Sequence, residues 1–199
     1  MASNTDIANF ALTKLGHAVI TNMVTDDSDE ALAVNAVYEI CRDEVLAQHP
    51  WNFATEWHAL PTLAGAPDNP AYDAQYQLPK GTLRVWGLDT TGWSWVVEGT
   101  ALLTNLTSPS AQVTIRVTDS GLFSAGFTLT LGYRLAAELC NTLTARRGNA
   151  SDYWEAYRMA LQDAKTRDGQ EGSPLLEDDN PLADARLVGT DWLDSGTLF

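Results

Sequence analysis

The stretch Phe123–Leu143, FSAGFTLTLGYRLAAELCNTL, carries an apolar residue at every fourth position: Phe123, Phe127, Leu131, Leu135, Leu139 and Leu143. Steps of four advance roughly 40° around a 3.6-residue helix, so this ridge winds about half-way round the cylinder. Ala136 and Cys140 widen it. A helix apolar over that arc needs neighbours on several sides, which places it at the centre of a helical bundle. Gly126 and Gly132 weaken it by up to ~1 kcal/mol each relative to alanine, a loss that close helix approach would offset.

Three further helical segments supply those neighbours. Ile7, Ala11 and Leu15 have helical spacing and stop at Gly16, a good C-terminal cap. Asp27, with Glu30 three residues on, predicts the N-terminal cap of a second helix. Ala31, Val34, Tyr38, Cys41 and Val45 form its stripe, and Pro50 should end it. Asn149 or Ser151 would cap a fourth helix carrying Tyr153, Tyr157, Ala160 and Ala164.

Between these segments the period drops to two. Phe53, Thr55, Trp57 and Ala59 share one side of an extended run, as do Leu83 and Val85, then Trp95 and Val97. Glu98-Gly99 is a turn candidate leading into Ala101 and Leu103. The clearest strand is Ala111-Val113-Ile115-Val117, which alternates with Gln112, Thr114, Arg116 and Thr118. Pro61, Pro67, Pro70 and Pro79 break the earlier part into loops. The expected class is α+β: a discontinuous antiparallel bundle (1–50 and 120–167), an inserted small antiparallel β-domain (51–119) and an acidic extended C-terminal arm (168–199).

The arm is separated by its charge. The 199-residue chain holds 12 basic and 26 acidic residues, for a net charge of −14. Residues 168–199 contain eight acids against one base, Arg186, which is half of that net charge. Such a segment cannot bury enough apolar surface to fold alone. Leu175, Leu176, Leu187, Val188, Trp192, Leu193 and Phe199 punctuate it, the pattern of an arm laid against another surface. The overall acidity argues against a nucleic-acid reader, because the chain repels phosphate backbones. Cys41 and Cys140 cannot form a disulfide framework and read as buried thiols. The N-terminus lacks a basic start and an apolar core, so no signal peptide is expected. The uncharged run Ser120–Tyr133 is too short and too polar to span a bilayer.

The search for reactive groups is largely negative. His17, His49 and His58 fit no zinc spacing, and His49 reads as a dipole partner at a helix C-terminus. Asp26-Asp27-Ser28-Asp29-Glu30 lacks the alternating donors and central glycine of a calcium loop, so it reads as capping and solvation. No phosphate-cradling glycine loop or nucleophile elbow is present, and no cofactor is expected. Glu56, Asp73 and Glu98 are the carboxylates that could form a hydrolytic pair. Arg146-Arg147 reads as cations at a helix C-terminus. The tryptophans say more: Trp51, Trp57, Trp86, Trp93 and Trp95 cluster in the sheet region, more than so small a sheet can bury. The surplus suggests a protein interface or a sugar-stacking platform, with Trp93, beside Gly92, the candidate for exposure.

Several blocks taken in order resemble the phage tail tubular protein A family, the head-to-tail adaptors of short-tailed phages. They are Asn9-Phe10-Ala11-Leu12 with Leu15-Gly16 and Ile20; Ala33 and Tyr38; Val45-Leu46; and His49-Pro50-Trp51-Asn52-Phe53-Ala54. Tyr76-Gln77-Leu78-Pro79, Leu83-Arg84-Val85, and Phe127 leading into Leu135-Ala136-Ala137-Glu138-Leu139 continue the series. The resemblance spans roughly residues 5 to 165, and its most specific piece is Pro-Trp-Asn-Phe-Ala; the acidic arm has no counterpart. It implies a non-catalytic ring of twelve copies between portal and tail nozzle, lining the channel through which DNA passes. It also implies a virion tail location, after synthesis in the host cytoplasm, with contacts to portal, nozzle and fibres and none to membrane. Trp93, Leu187, Trp192, Leu193 and Phe199 are then the expected protein-interface residues. The competing readings are a glycan-binding tail module on the tryptophans and a wall hydrolase using Glu56 and Asp73.

Overall fold

The α3 helix, Ala125–Leu143, carries the ridge read from the sequence. In the computed structural model, which describes residues 2–143 and 150–171, Phe127, Leu131, Leu135 and Leu139 are all buried. Each such side chain contributes roughly 1.5–3 kcal/mol relative to an exposed position. Phe123 lies before the helix, after a 3₁₀ turn at Ser120–Leu122, yet packs against the same core, as does Leu143 at the other end. The two glycines on α3 sit where neighbours come close. A Cβ on Gly132 would fall 2.5 Å from Phe10 Cδ1, and one on Gly126 would fall 3.0 Å from Ala164 Cβ and 3.2 Å from its Cα.

The α1 helix, Asn4–Leu15, starts with a Ser3–Asp6 capping box and ends on Gly16 at φ +76°, which satisfies the carbonyls of its last turn. The α2 helix, Asp29–Ala47, is capped one residue later than the sequence suggested. Ser28 Oγ accepts from Ala31 N at 3.3 Å, while Asp27 stays exposed. Glu30 is drawn instead to His17 Nδ1 at 3.2 Å, so it does not close a box. The α4 helix, Ala150–Gln170, has Ser151 inside its first turn, and Asn149 lies outside the described residues. α4 also continues through Asp168, so the helix extends into the stretch grouped above with the arm. α3 packs on both α1 and α2. Tyr157 and Ala164 of α4 join Ile7, Leu12, Val34, Tyr38 and Val45 in one core with the α3 ridge.

The described chain is α+β as expected, with one difference: the strands between α2 and α3 make two sheets. Strands β1 (Thr55–Ala59), β2 (Ala74–Gln77), β3 (Thr82–Leu88), β4 (Trp95–Glu98), β5 (Ala101–Thr104) and β6 (Ser110–Ile115) form antiparallel sheets ordered β1-β6-β3 and β2-β5-β4. The β4–β5 hairpin turns at Gly99, φ +60°, the positive first position of a type II′ turn. Its outer partner is β2, with Tyr76 opposite Leu102, and not β3, which pairs with β6 through two register shifts. Tyr76, Leu78, Leu102, Ala111 and Val113 form a second core beneath the strands. Trp51 and Ala54, counted above with the β-domain, belong to the helical core, against which Leu83 and Val117 also pack. Helices and sheets from Met1 to Gly169 make one compact unit.

Candidate functional site

The block His49–Ala54 forms the corner where α2 gives way to β1, and it is tied to both α3 and α4. Trp51 is fully buried; its Nε1 donates to Val45 O at 3.0 Å and its ring meets Phe127 edge-on at 5.3 Å. His49 meets the Trp51 ring edge-on at 4.9 Å. Asp168, buried on α4, reaches across to this corner. Its carboxylate accepts from Asn52 N at 3.2 Å and lies 3.1 Å from His49 Nε2, while its carbonyl accepts from Asn52 Nδ2 at 2.7 Å. Burial pushes the His49 pKa below its ordinary 6.5, against the opposing pull of the Asp168 carboxylate. The geometry is that of a latch between α4 and the corner.

Other resemblance-bearing side chains make similar ties. Asn9 clasps the loop after α1 with two bonds, donating to Ile20 O at 3.0 Å and accepting from Ile20 N at 2.8 Å. Tyr38 OH donates to Asn4 Oδ1 at 2.9 Å, and burial raises its pKa to about 12. Tyr76 OH donates to Leu106 O at 2.7 Å. Arg134 on α3 holds Glu44 at 2.7 Å and Glu138 at 2.7 Å, with its guanidinium 4.5 Å over the Trp154 ring.

The five clustered tryptophans divide three ways. Trp51 fills the helical core, and Trp95 packs partly on the second core. Trp86 is half-buried under the Arg84 guanidinium, 4.1 Å from its ring centre. Trp57 and Trp93 are open to solvent at 55% and 47%. Trp93 precedes β4, so strand alternation does not tie it to Trp95; it lines a depression of about 390 Å³ with Tyr72, Ser94 and Asn105. Leu187, Trp192, Leu193 and Phe199, and also Arg146-Arg147, lie outside the described residues.

The carboxylates considered for hydrolysis are surface groups. Glu56 is on β1 of the first sheet and Asp73 just precedes β2 of the second; both are exposed, and no strand register sets them opposite one another. Glu98 accepts from Asn69 Nδ2 at 2.8 Å. Glu56 Oε2 lies 3.3 Å from His58 Nε2, which has no aligned hydrogen bond. In the acidic run, Asp26 accepts from Thr21 N and Ser28 N, both at 3.0 Å, and these bonds hold its pKa down to about 2. Cys41 is buried, with its thiol pushed up to about 11. Among the described residues no group of three His, Cys, Asp or Glu converges on a metal-sized site, and no helix is long and apolar enough to cross a membrane.

Comparison of the chain with protein-family models and with curated proteins gives no match. Sequence reasoning missed Asp168, Arg134 and Glu44. Arg134 and Glu138 do stand four apart on α3, a spacing that announces an ion pair. Asp168 gave no such local signal.

Proposed function

We propose that this chain is a structural head-to-tail adaptor of the tail tubular protein A kind, packed with identical copies into a ring between portal and nozzle. The helices before and after the sheets would form one discontinuous antiparallel bundle, the β-region would face nozzle or fibres, and the C-terminal arm would dock outside its own chain. The observation that carries this reading is the fate of the resemblance-bearing residues. Asn9, Tyr38, Trp51, Asn52 and Tyr76 all serve as clasps or packing, as suits a shaped block. Exposed Trp57 and Trp93 are the residue type favoured at interfaces. Net negative charge suits a conduit that must release DNA.

Native mass measurement of the full chain, alone and with portal, tests this. A ring of about twelve copies supports it, by the closed symmetry that homo-oligomers favour; a chain that stays monomeric with portal and is missing from purified tails overturns it. A second reading, a glycan-binding tail module, draws on the depression beside Trp93, where Tyr72 and Asn105 add a second ring and an amide. Saturable quenching of tryptophan fluorescence by host polysaccharide, lost in Trp93→Ala, would favour it.

A further inference from the structure

One face of the β1-β6-β3 sheet combines aromatic rings with cations. Thr55 pairs with Thr114 and Trp57 with Gln112, so alternation puts Thr55, Trp57, Gln112 and Thr114 on the same side. Arg84 pairs with Thr114, and Trp86 Nε1 donates to Thr114 Oγ1 at 2.7 Å, which brings both to that side. Arg84 and Trp86, two apart on β3, share that face by ordinary alternation, and the register shift after Val85 brings Gly87 opposite Gln112. The Arg84 guanidinium sits 4.1 Å over the Trp86 ring centre while its Nη1 donates to Ala47 O at the end of α2. Lys165 of α4 is near enough for the Arg84 charge to lower its pKa, second to the effect of burial.

In a chain of net charge −14, this face offers two cations to an anionic partner. Among the described residues neither Arg84 nor Lys165 is paired with a carboxylate. Exposed Trp57 on β1 and the Arg84–Trp86 pair on β3 flank β6 on one face, a composition found in binding hot spots. The complementary chemistry is present on the same polypeptide. Residues 172–199 carry six acids, Glu177, Asp178, Asp179, Asp184, Asp191 and Asp194, against Arg186 alone, with Leu175-Leu176, Leu187-Val188 and Trp192-Leu193 spaced between them.

We infer that the Trp57–Trp86–Arg84–Lys165 face receives the acidic C-terminal segment, residues 172–199, of a second copy of this chain. The inference deepens the ring reading and rests on it. Reach is sufficient: 28 extended residues span roughly 90 Å, against a radius of gyration of about 15 Å for a domain of this size. The carboxylates neutralise the two cations, and an apolar pair covers the Trp57 ring. Linking neighbours through arms in this way lets copies join without a large flat interface.

Cysteines beside the two surfaces test it in the full chain. Ala59→Cys shares the Trp57 side of β1, and Ser195→Cys adjoins Trp192-Leu193. Buried Cys41 and Cys140 stay out of the reaction. Mixed single variants should give disulfide-linked heterodimers well above either variant alone. Adding Trp57→Ala and Lys165→Glu to the Ala59→Cys chain should cut the yield about tenfold, and molar salt should reduce it by screening. Trp57 lies outside the buried core, so Trp57→Ala alone should lower the yield with melting unchanged, while Lys165→Glu, one turn from Asp168, is compared at matched melting with Lys165→Gln. If rings assemble with portal yet no heterodimer forms, the arm docks elsewhere and only this inference falls. If neither rings nor heterodimers form, the ring reading falls with it. A link that forms only when both cysteines share one chain also overturns the exchange between copies.

Discussion

Replacing Asp168 by alanine should be among the most damaging single changes to the unit, although Asp168 lies in the most acidic part of the chain. The side chain is 5% exposed; its carboxylate accepts from Asn52 N at 3.2 Å and faces His49 Nε2 at 3.1 Å. Truncation removes the carboxylate's contacts with His49 Nε2 and the Asn52 N–H, each charge-assisted and worth about 1.5–3 kcal/mol. Offset by the relief of desolvating a carboxylate, the net loss should be roughly 2–4 kcal/mol. For a domain of this size that is a fall in melting temperature of about 5–15 °C. Asp168→Asn keeps the shape and one acceptor oxygen, so it should lose about half as much. Urea unfolding of the full-length variants measures both. An Asp168→Ala protein within about 0.5 kcal/mol of wild type, the range of an ordinary surface change, would mean that α4 is not latched to the corner.

Three further outcomes follow from the same geometry. His49 has its pKa lowered by burial, so on acidification the unfolded chain takes up the proton first. The stability it contributes is therefore complete above its ordinary 6.5 and lost as pH falls through and below that value; urea midpoints should drop between about pH 7.5 and 5.5, more steeply than in His49→Gln, and a steeper slope in the variant would contradict this. Gly132→Ala gains up to ~1 kcal/mol of helix propensity but drives a methyl into Phe10; overpacking should win by about 1 kcal/mol, and a stabilised variant would refute the close approach. Deleting 172–199 should leave the melting of the remaining unit nearly unchanged while abolishing assembly with portal, whereas a cut before Asp168 should destabilise it because the latch goes with it.

What could be read in the sequence was whatever depends on neighbours a few residues apart. The α3 ridge, the Gly16 stop, the Gly99 turn and the strand read over Ala111–Val117, which ends at Ile115, all declare themselves through local period or a single glycine. The cap of α2 was misplaced by one residue because Asp27 and Ser28 are both good caps, and only the tertiary pull of His17 on Glu30 decides between them. Two sheets were read as one because the partner of the β4–β5 hairpin is set by long-range register, which alternation alone does not encode. Trp51 was grouped with the strands that follow it, yet Pro50 turns it back under α2 and against Phe127. Asp168 was hidden most completely: its partners lie 116 and 119 residues away, and its acidic surroundings made it look solvated.

If this polypeptide is one block of a ring, electron micrographs of the full chain mixed with portal should show closed rings of about twelve subunits, the cyclic symmetry expected of identical copies packed side by side, stacked on the portal. Bare portals beside free monomers would contradict it.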